Sequence, residues 1–350
     1  MKVKLEDVCK RASSNLRQSD VEGKSGKYPI FGAAGYIGSV NFYHQERPYI
    51  AVVKDGAGIG RTMLLPAKSS VIGTMQYLLP KETVLPEYLF YVVRSMHLEK
   101  YFSGATIPHI YFKDYKREEF NLETLDRQAE IVAILRKAEV ILSARQQQLQ
   151  KLDELVKSRF IEMFGDPVIN PLKWSTLTMK QASIRLSDGP FGSNLKSEHY
   201  TDSGVRVIRL GNIGCGYFND EDQSYISKGH YETIKKYTCR AGEIVIATLG
   251  DPNLRACIIP AHIEYGVNKS DCVHYIPKAE ILNNQFVCQY INCPETLSLA
   301  SGMVHGQTRS RISSGQLADL PIYLPPMELQ KQFAAFVEQI DKSKVAVQKA

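Results

Sequence analysis

The chain repeats itself, and that limits its fold more than any other feature. Residues 104–146 lie over 306–348 at a constant offset of 202, without a gap. Gly104 meets Gly306, Thr106 meets Thr308, Ile110 meets Ile312, Leu122 meets Leu324 and Gln128 meets Gln330. Upstream, 49–66 lies over 243–260 at an offset of 194, pairing Gly56 with Gly250, Arg61 with Arg255 and Pro66 with Pro260. The drift between the two offsets amounts to eight residues of loop insertion, which surface loops tolerate. Apolar positions coincide by chance easily; ordered Gly, Arg, Pro, Thr and Gln matches do not. The chain reads as two copies of one architecture.

Each copy has the same internal order. Short apolar or β-branched runs bounded by Gly, Pro, Asp and Asn predict strands: Tyr49–Val53, 63–65 and 75–79 in the first, 205–210, 243–248 and 257–259 in the second. A short helical stretch follows in each (86–100 and 284–299), then a long helix. The first long helix is predicted from Thr124, a plausible N-cap, to Phe164, where Gly165-Asp166-Pro167 stops it. Its 41 residues would span about 60 Å, more than a globular core needs. Leu135, Leu142, Leu149, Val156 and Met163 recur every seven residues, with Ala138 and Leu152 at intervening positions, interrupted by Arg145 and Arg159. That period seeks a partner helix. The second helix begins near Pro326 and carries Phe333, Ile340 and Val347, again seven apart. It spans only about 25 residues to Ala350, so much of the first seam lacks a partner within the chain.

The expected fold is therefore α+β, a pseudo-two-fold repeat of two β-rich domains joined by long antiparallel coiled-coil helices. The expected boundaries are 1–123 and 166–325 for the two β-rich domains, 124–165 and 326–350 for the helices.

Bulk properties exclude some classes and leave others open. No apolar run approaches the ~20 residues of a membrane span, and the lysines of MKVKLEDVCK precede no apolar stretch, so no secretory signal is read. Seven cysteines without a Cys-x-x-Cys pair fit reduced thiols and a cytoplasmic location. Net charge is +6, and residues 1–120 hold the surplus, with 17 basic against 12 acidic side chains. Residues 166–325 are balanced at 15 each, so a polyanion contact there must rest on local clustering.

Beyond this layout, particular segments resemble one family. YPIFGAAGYIGSVNFY (28–43) with YIAVVKDGAGIGR (49–61) resembles one version of the target-recognition domain of type I restriction–modification specificity subunits. LSDGPFGSNLKSEHYTDSGVRVIRLGNIGCGYF (186–218) resembles a second, distinct version. LETLDRQAEIVAIL (122–135) and LPPMELQKQFAAFV (324–337) resemble the helix entrances that follow each domain, although Glu123 and Thr124 replace the usual double proline in the first. The resemblance covers nearly the whole chain, the short second helix being the main departure.

The resemblance implies a non-catalytic subunit whose two domains each read one half of a split, asymmetric double-stranded DNA target. It implies helices that space those domains and dock two methyltransferase subunits, and through them motor-nuclease subunits. S-adenosylmethionine, ATP and Mg²⁺ are then expected only on the partners, with no cofactor on this chain. A truncated subunit pairing with a second copy of itself is an alternative within the family. A helical adaptor whose heads bind protein is the alternative outside it.

Bases are read by side-chain forks and amides, while phosphates accept from Lys, Arg, Ser, Thr and backbone N–H groups. Candidate contacts in the first domain are Lys54 and Arg61 around the Gly-rich turn, with Thr106, His109 and Lys113 of the 104–113 loop. In the second they are Ser193, Lys196, Arg209, Asn212 and Arg255, with Gln307, Thr308, Arg309 and Arg311 of the equivalent loop. Arg206 and Arg209, three apart on a strand, cannot share a face without a bulge, and Arg209 beside Gly211-Asn212 is preferred. Any one of these residues could merely solvate a turn. The 56–60 glycines lack the Gly-Lys-Ser/Thr of a nucleotide loop and lie between two strands. Cys257, His262, Cys272 and His274 match no common zinc spacing.

Overall fold

A computed structural model describes residues 1–104, 108–301 and 311–349. The chain divides into two compact units, Met1–Ser143 and Ala144–Ala350.

Unit 1 contains strands β1 (Cys9–Ser13), β2 (Tyr28–Gly32), β3 (Gly35–Val40), β4 (Tyr49–Val53), β5 (Thr62–Leu65), β6 (Ser70–Val71) and β7 (Met75–Pro80). The larger sheet has the order β1-β7-β4-β5 and is antiparallel throughout; the smaller is β3-β2-β6, with β2 and β6 parallel. All five residues of β4 are buried, which explains its unbroken apolar run. Ile50 and Val52 join a core with Leu89 and Val93 of helix α1 (Pro86–Ser95). Tyr49, Ala51 and Val53 on the other face join Val71, Met75 and Tyr77. A long helix, α2 (Leu125–Phe164), begins in this unit.

Unit 2 contains β8 (Ser183–Ser187), β9 (Tyr200–Thr201), β10 (Val205–Ile208), β11 (Ser224–Ile226), β12 (Thr238–Arg240), β13 (Ile244–Ala247), β14 (Arg255–Ile258), β15 (Tyr265–Asn268) and β16 (Cys272–Pro277). The sheet β8-β16-β13-β14 repeats the order of the larger sheet of unit 1, and β9-β11-β10-β15-β12 enlarges the smaller one around the parallel pair β10/β15. Ile50 opposite Leu64 recurs as Ile244 opposite Ile258, and Val53 opposite Met75 as Ala247 opposite Cys272. Offsets of 194 and then 197 locate three of the eight inserted residues in the approach to β16. Helix α3 (Asn284–Ile291) replaces α1, and helix α4 (Met327–Lys349) closes the unit.

The two glutamines matched in the sequence do the same work in each unit. Gln128 has no exposed surface; its Oε1 accepts from the Leu85 N–H at 2.8 Å, and its Nε2 donates to the carbonyls of Thr83 (3.0 Å) and Glu123 (2.9 Å). Gln330, also fully buried, accepts from the Asn283 N–H at 2.8 Å and donates to Ile281 (2.9 Å) and Pro325 (2.8 Å). One amide thus ties the first turn of the long helix to the start of the preceding short helix. It satisfies a backbone donor and two carbonyls that would otherwise be stranded.

The seam of α2 departs from the seven-residue reading. Near its end Val156, Phe160 and Phe164 are buried against Phe333, Val337 and Ile340 of α4. Phe160 and Phe164 lie with ring centroids 5.4 and 5.6 Å from Phe333, while Asp153 pairs with Lys344 at 2.8 Å. Rising numbers on α2 meet falling numbers on α4, so the two segments run antiparallel within unit 2. Leu152 and Met163 only flank that core, Leu149 and Val347 are half-buried, and steps of four (152, 156, 160, 164) replace steps of seven. The helix packs into a domain core over its last three turns, where i,i+4 neighbours share a face. Closer to the start, Ile131, Val132 and half-buried Leu135 rest on unit 1. Ala138 and Leu142, expected on the seam, are exposed, Leu142 by 64%, as are Ile134, Val140 and Ile141. Gly165 ends the helix at φ +79°, with its N–H on Ile161 at 2.8 Å; a Cβ there would stand 2.7 Å from Pro171 Cγ. Among the described residues no helix is long and apolar enough to cross a membrane.

Trp174, the chain's one tryptophan, donates from Nε1 to the Phe164 carbonyl at 3.0 Å and so reports on unit 2. Gln330→Leu keeps the volume but strands three backbone groups, and we expect it to cost unit 2 about 2–3 kcal/mol. Urea unfolding followed by Trp174 fluorescence checks this; a midpoint equal to wild type would remove the amide from its role.

A second expectation concerns acid. His274 lies inside β16, its Nε2 donating to Glu243 at 2.8 Å and its buried Nδ1 without a partner. Burial holds this imidazole below the usual histidine range, against the opposing pull of Glu243. The unfolded chain therefore binds more protons than the folded one between the folded value and about pH 6.5. Stability of unit 2 should be full above that window and fall as the pH drops through it. The same fluorescence transition, measured from pH 7.5 to 5.5, should move to lower urea in wild type and move less in His274→Phe.

Candidate nucleic-acid interface

In unit 1 the hairpin of β4 and β5 turns through Asp55–Gly60. Gly60 donates to Val53 at 2.9 Å with φ +81°, and a Cβ on it would meet the Glu99 nitrogen at 2.6 Å, so only glycine fits. The turn binds the following loop through its backbone: Gly56 N–H donates to Pro108 at 3.0 Å and Ile110 N–H to Lys54 at 2.9 Å, with Asp55 and His109 bridged. Buried Ile110 anchors the loop from beneath. His109 Nδ1 stands 2.7 Å from Asp55 Oδ1, so the carboxylate accepts a hydrogen bond from Nδ1–H and Nε2 has no partner among the described residues. Tyr111, half exposed, stacks beside His109 at 6.3 Å, and Lys113 Nζ lies 5.3 Å over the Tyr111 ring. Lys54 Nζ is 3.9 Å from Asp55. Lys54, His109 and Lys113 therefore gather on one patch. Arg61 is exposed on the same hairpin but reaches back to the Ala33 carbonyl at 3.1 Å.

Unit 2 rebuilds the device with other side chains. Leu249 bridges Arg311 as Asp55 bridges His109, and Ile312 N–H donates to Thr248 at 2.9 Å as Ile110 does to Lys54. Ile312 is buried like Ile110. Arg311 Nε is 2.7 Å from Asp271 Oδ1, its Nη2 is 3.9 Å from Asp188 Oδ2, and the guanidinium lies 5.7 Å over exposed Phe191. Burial raises the Asp188 carboxyl above its usual range, while N–H groups of Gly189 (2.8 Å) and Asp271 (2.9 Å) counter it. The 188–196 turn thus contributes Asp188 and Phe191 to the cluster. Ser193 and Lys196 are exposed further along it, Lys196 within 3.6 Å of Glu198.

Other expected contacts are committed inside the protein. Asn212 has no exposed surface: its Oδ1 accepts from the Arg209 N–H and its Nδ2 donates to Asn219 and Asp222. Arg255 spends four N–H bonds on the carbonyls of Ile213, Leu249, Pro252 and Leu210, bracing the turn that carries Arg311. Buried Asn212 and half-buried Arg255 are thus engaged within the protein, and a donor that already has its acceptor gains little by exchange. Arg206 is buried on Asp220 at 2.5 Å. Arg209 is 42% exposed, on Asp222 at 2.9 Å and 5.8 Å over Tyr200. Thr106, Gln307, Thr308 and Arg309 lie outside the described residues. Asp55, Tyr111, Asp188, Phe191 and Asp271 were not foreseen; only Tyr111, alternating with His109 on an extended loop, left a signal in the sequence.

Comparison with known proteins agrees with this layout. The family model described as the type I restriction modification DNA specificity domain matches residues 1–154 and 194–350. The type I restriction enzyme MjaVIII specificity subunit of Methanocaldococcus jannaschii is 23% identical over 316 residues, covering 83% of this chain and 72% of that protein. The crystal structure of a type I restriction–modification system S subunit from M. genitalium superposes with a TM-score of 0.58 at 15% identity, covering all of this chain and 91% of that one. A structure concerned with complex assembly and conformational transition of the type I R-M system gives 0.54 at 16%, covering all of this chain and 92% of that one. A match of that extent, over both copies of the repeat, places the chain in the type I restriction–modification DNA specificity family.

Proposed function

We propose that the chain reads the two halves of an asymmetric, interrupted DNA target and carries no catalytic step itself. The observation that supports this most is the equivalence of the two clusters. One backbone device, a hairpin turn bridged to a loop, presents His109 with Asp55 and Tyr111 in unit 1 and Arg311 with Asp271, Asp188 and Phe191 in unit 2. Equal frames with unlike side chains suit two readers of unlike half-sites, with groove register set by the duplex pitch. The long helix α2 would serve as spacer. Its exposed Ile134, Val140, Ile141 and Leu142 favour docking of a further polypeptide, which the family relationship suggests is a methyltransferase subunit, with motor-nuclease subunits joining through it. S-adenosylmethionine, ATP and Mg²⁺ would then belong to those partners.

Single-molecule methylation sequencing of DNA from cells expressing the chain with its methyltransferase should yield one interrupted, asymmetric motif with a modified adenine in each part. Exchange of residues 1–120 for those of a relative should alter one part only; change in both parts, or in neither, would sink the two-reader account. Binding of the assembled complex should also weaken steeply with salt, since each neutralised phosphate releases counterions. A flat response would favour heads that bind protein.

A further inference from the structure

We propose that Arg311 reads a guanine in the half-site bound by unit 2, through the outer end of its guanidinium fork. The proposal rests on the DNA-reading function above and assigns one base to one side chain.

The side chain is held on one edge only. Asp271 Oδ1 forms an ion pair with Nε at 2.7 Å, and Asp188 Oδ2 faces Nη2 from 3.9 Å, too far for a direct hydrogen bond. With 46% of the side chain exposed and no acceptor at Nη1 among the described residues, Nη1 and the outer Nη2 hydrogen can act as two parallel donors. The Phe191 ring lies 5.7 Å from the guanidinium carbon, within cation–π range. Two donors in a fixed fork match the O6 and N7 acceptors on the major-groove edge of guanine, the pair that arginine reads most often.

The same surroundings argue against a phosphate contact. Two carboxylates beside Arg311 cancel its charge at a distance and would repel a phosphate brought against it. Hydrogen-bond direction survives that neutralisation, whereas long-range attraction does not. Holding the rotamer before DNA arrives also reduces the ordering that binding must impose on a long side chain. The braced turn beneath, with Arg255 on four carbonyls and buried Ile312, keeps the base of the side chain in place. His109 stands at the same position in unit 1 with its Nδ1 on Asp55, an imidazole in place of a guanidinium fork, so the two halves would not share a base there.

The test compares wild type, Arg311→Ala and Arg311→Lys, each expressed with the methyltransferase partner. Methylation sequencing is followed by binding of the purified complexes to duplexes carrying each base pair in turn. Wild type should require a G·C pair at one position of the unit 2 half-site. Arg311→Ala should make that position degenerate while the other half-site stays unchanged. Its affinity should fall roughly 10- to 100-fold on the wild-type duplex and hardly at all on duplexes already lacking that G·C pair. Arg311→Lys keeps a cation for Asp271 and should keep the Trp174 unfolding midpoint while losing most of the preference, which separates readout from folding. An unchanged motif in Arg311→Lys and Arg311→Ala overturns the assignment and leaves the two-reader function standing. An equal loss on every duplex overturns it in favour of a backbone contact. A wild-type complex that yields no interrupted motif overturns the underlying function together with the assignment.

Discussion

Each half of this protein is organised around a buried primary amide. A glutamine side chain can serve three backbone groups at once, and Gln128 and Gln330 both do so at the point where a long helix leaves its β-unit. The geometry leaves little freedom: one N–H and two carbonyls must be met by one rigid plane in a site closed off from the surface. The helix therefore starts at a set angle to the preceding short helix and sheet. Everything else that the long helices do depends on that start.

Above this frame the two units diverge where their surfaces meet solvent. The hairpin turn and the loop after it are joined by backbone hydrogen bonds and pinned by Ile110 and Ile312, so the scaffold does not depend on the exposed side chains it displays. His109 can stand where Arg311 stands because main-chain hydrogen bonds and a buried isoleucine hold the described part of each loop. Such a design permits the exposed side chains to change without change of fold, since the energy that maintains the device is separate from the side chains it displays. The carboxylates beside each post are part of it: they orient the side chain and moderate its charge.

Helix α2 shows two regimes within one element. Over 152–164 it is a core helix, with Phe160 and Phe164 among the rings of Phe286 and Phe333. Over 134–142 it exposes large apolar side chains. Burial of aromatic rings at the end and anchoring by Gln128 at the start hold the helix in place, so the stretch between can remain uncovered without fraying. An uncovered apolar stretch of this kind is poorly tolerated in a protein that works alone.

The sequence by itself determined the duplication, the β-then-helix order of each copy, the stop at Gly165 and the equivalence of Gln128 with Gln330. These are legible because they rest on covalent and local rules: a glycine that must take positive φ, a strand that must be apolar on both faces, an amide that must recur wherever the same backbone groups need it. Family resemblance was equally legible, carried by ordered motifs over nearly the whole length. Only the tertiary structure decided which polar residues face outward. Asn212 and Arg255 carry the residue types of DNA contacts yet are consumed by backbone carbonyls, two of Arg255's four lying 42 and 45 residues away, and Asp188 and Asp271 reach Arg311 from separate segments. The helix seam was legible only in part, at Val156, Phe333 and Ile340, for the same reason. A period of seven describes a helix against another helix in water, whereas Phe160 and Phe164 enter a domain core whose shape is set by strands and helices that no local pattern reveals. Whether a donor is free depends on where the nearest acceptor lies in space, and chain order does not state that distance.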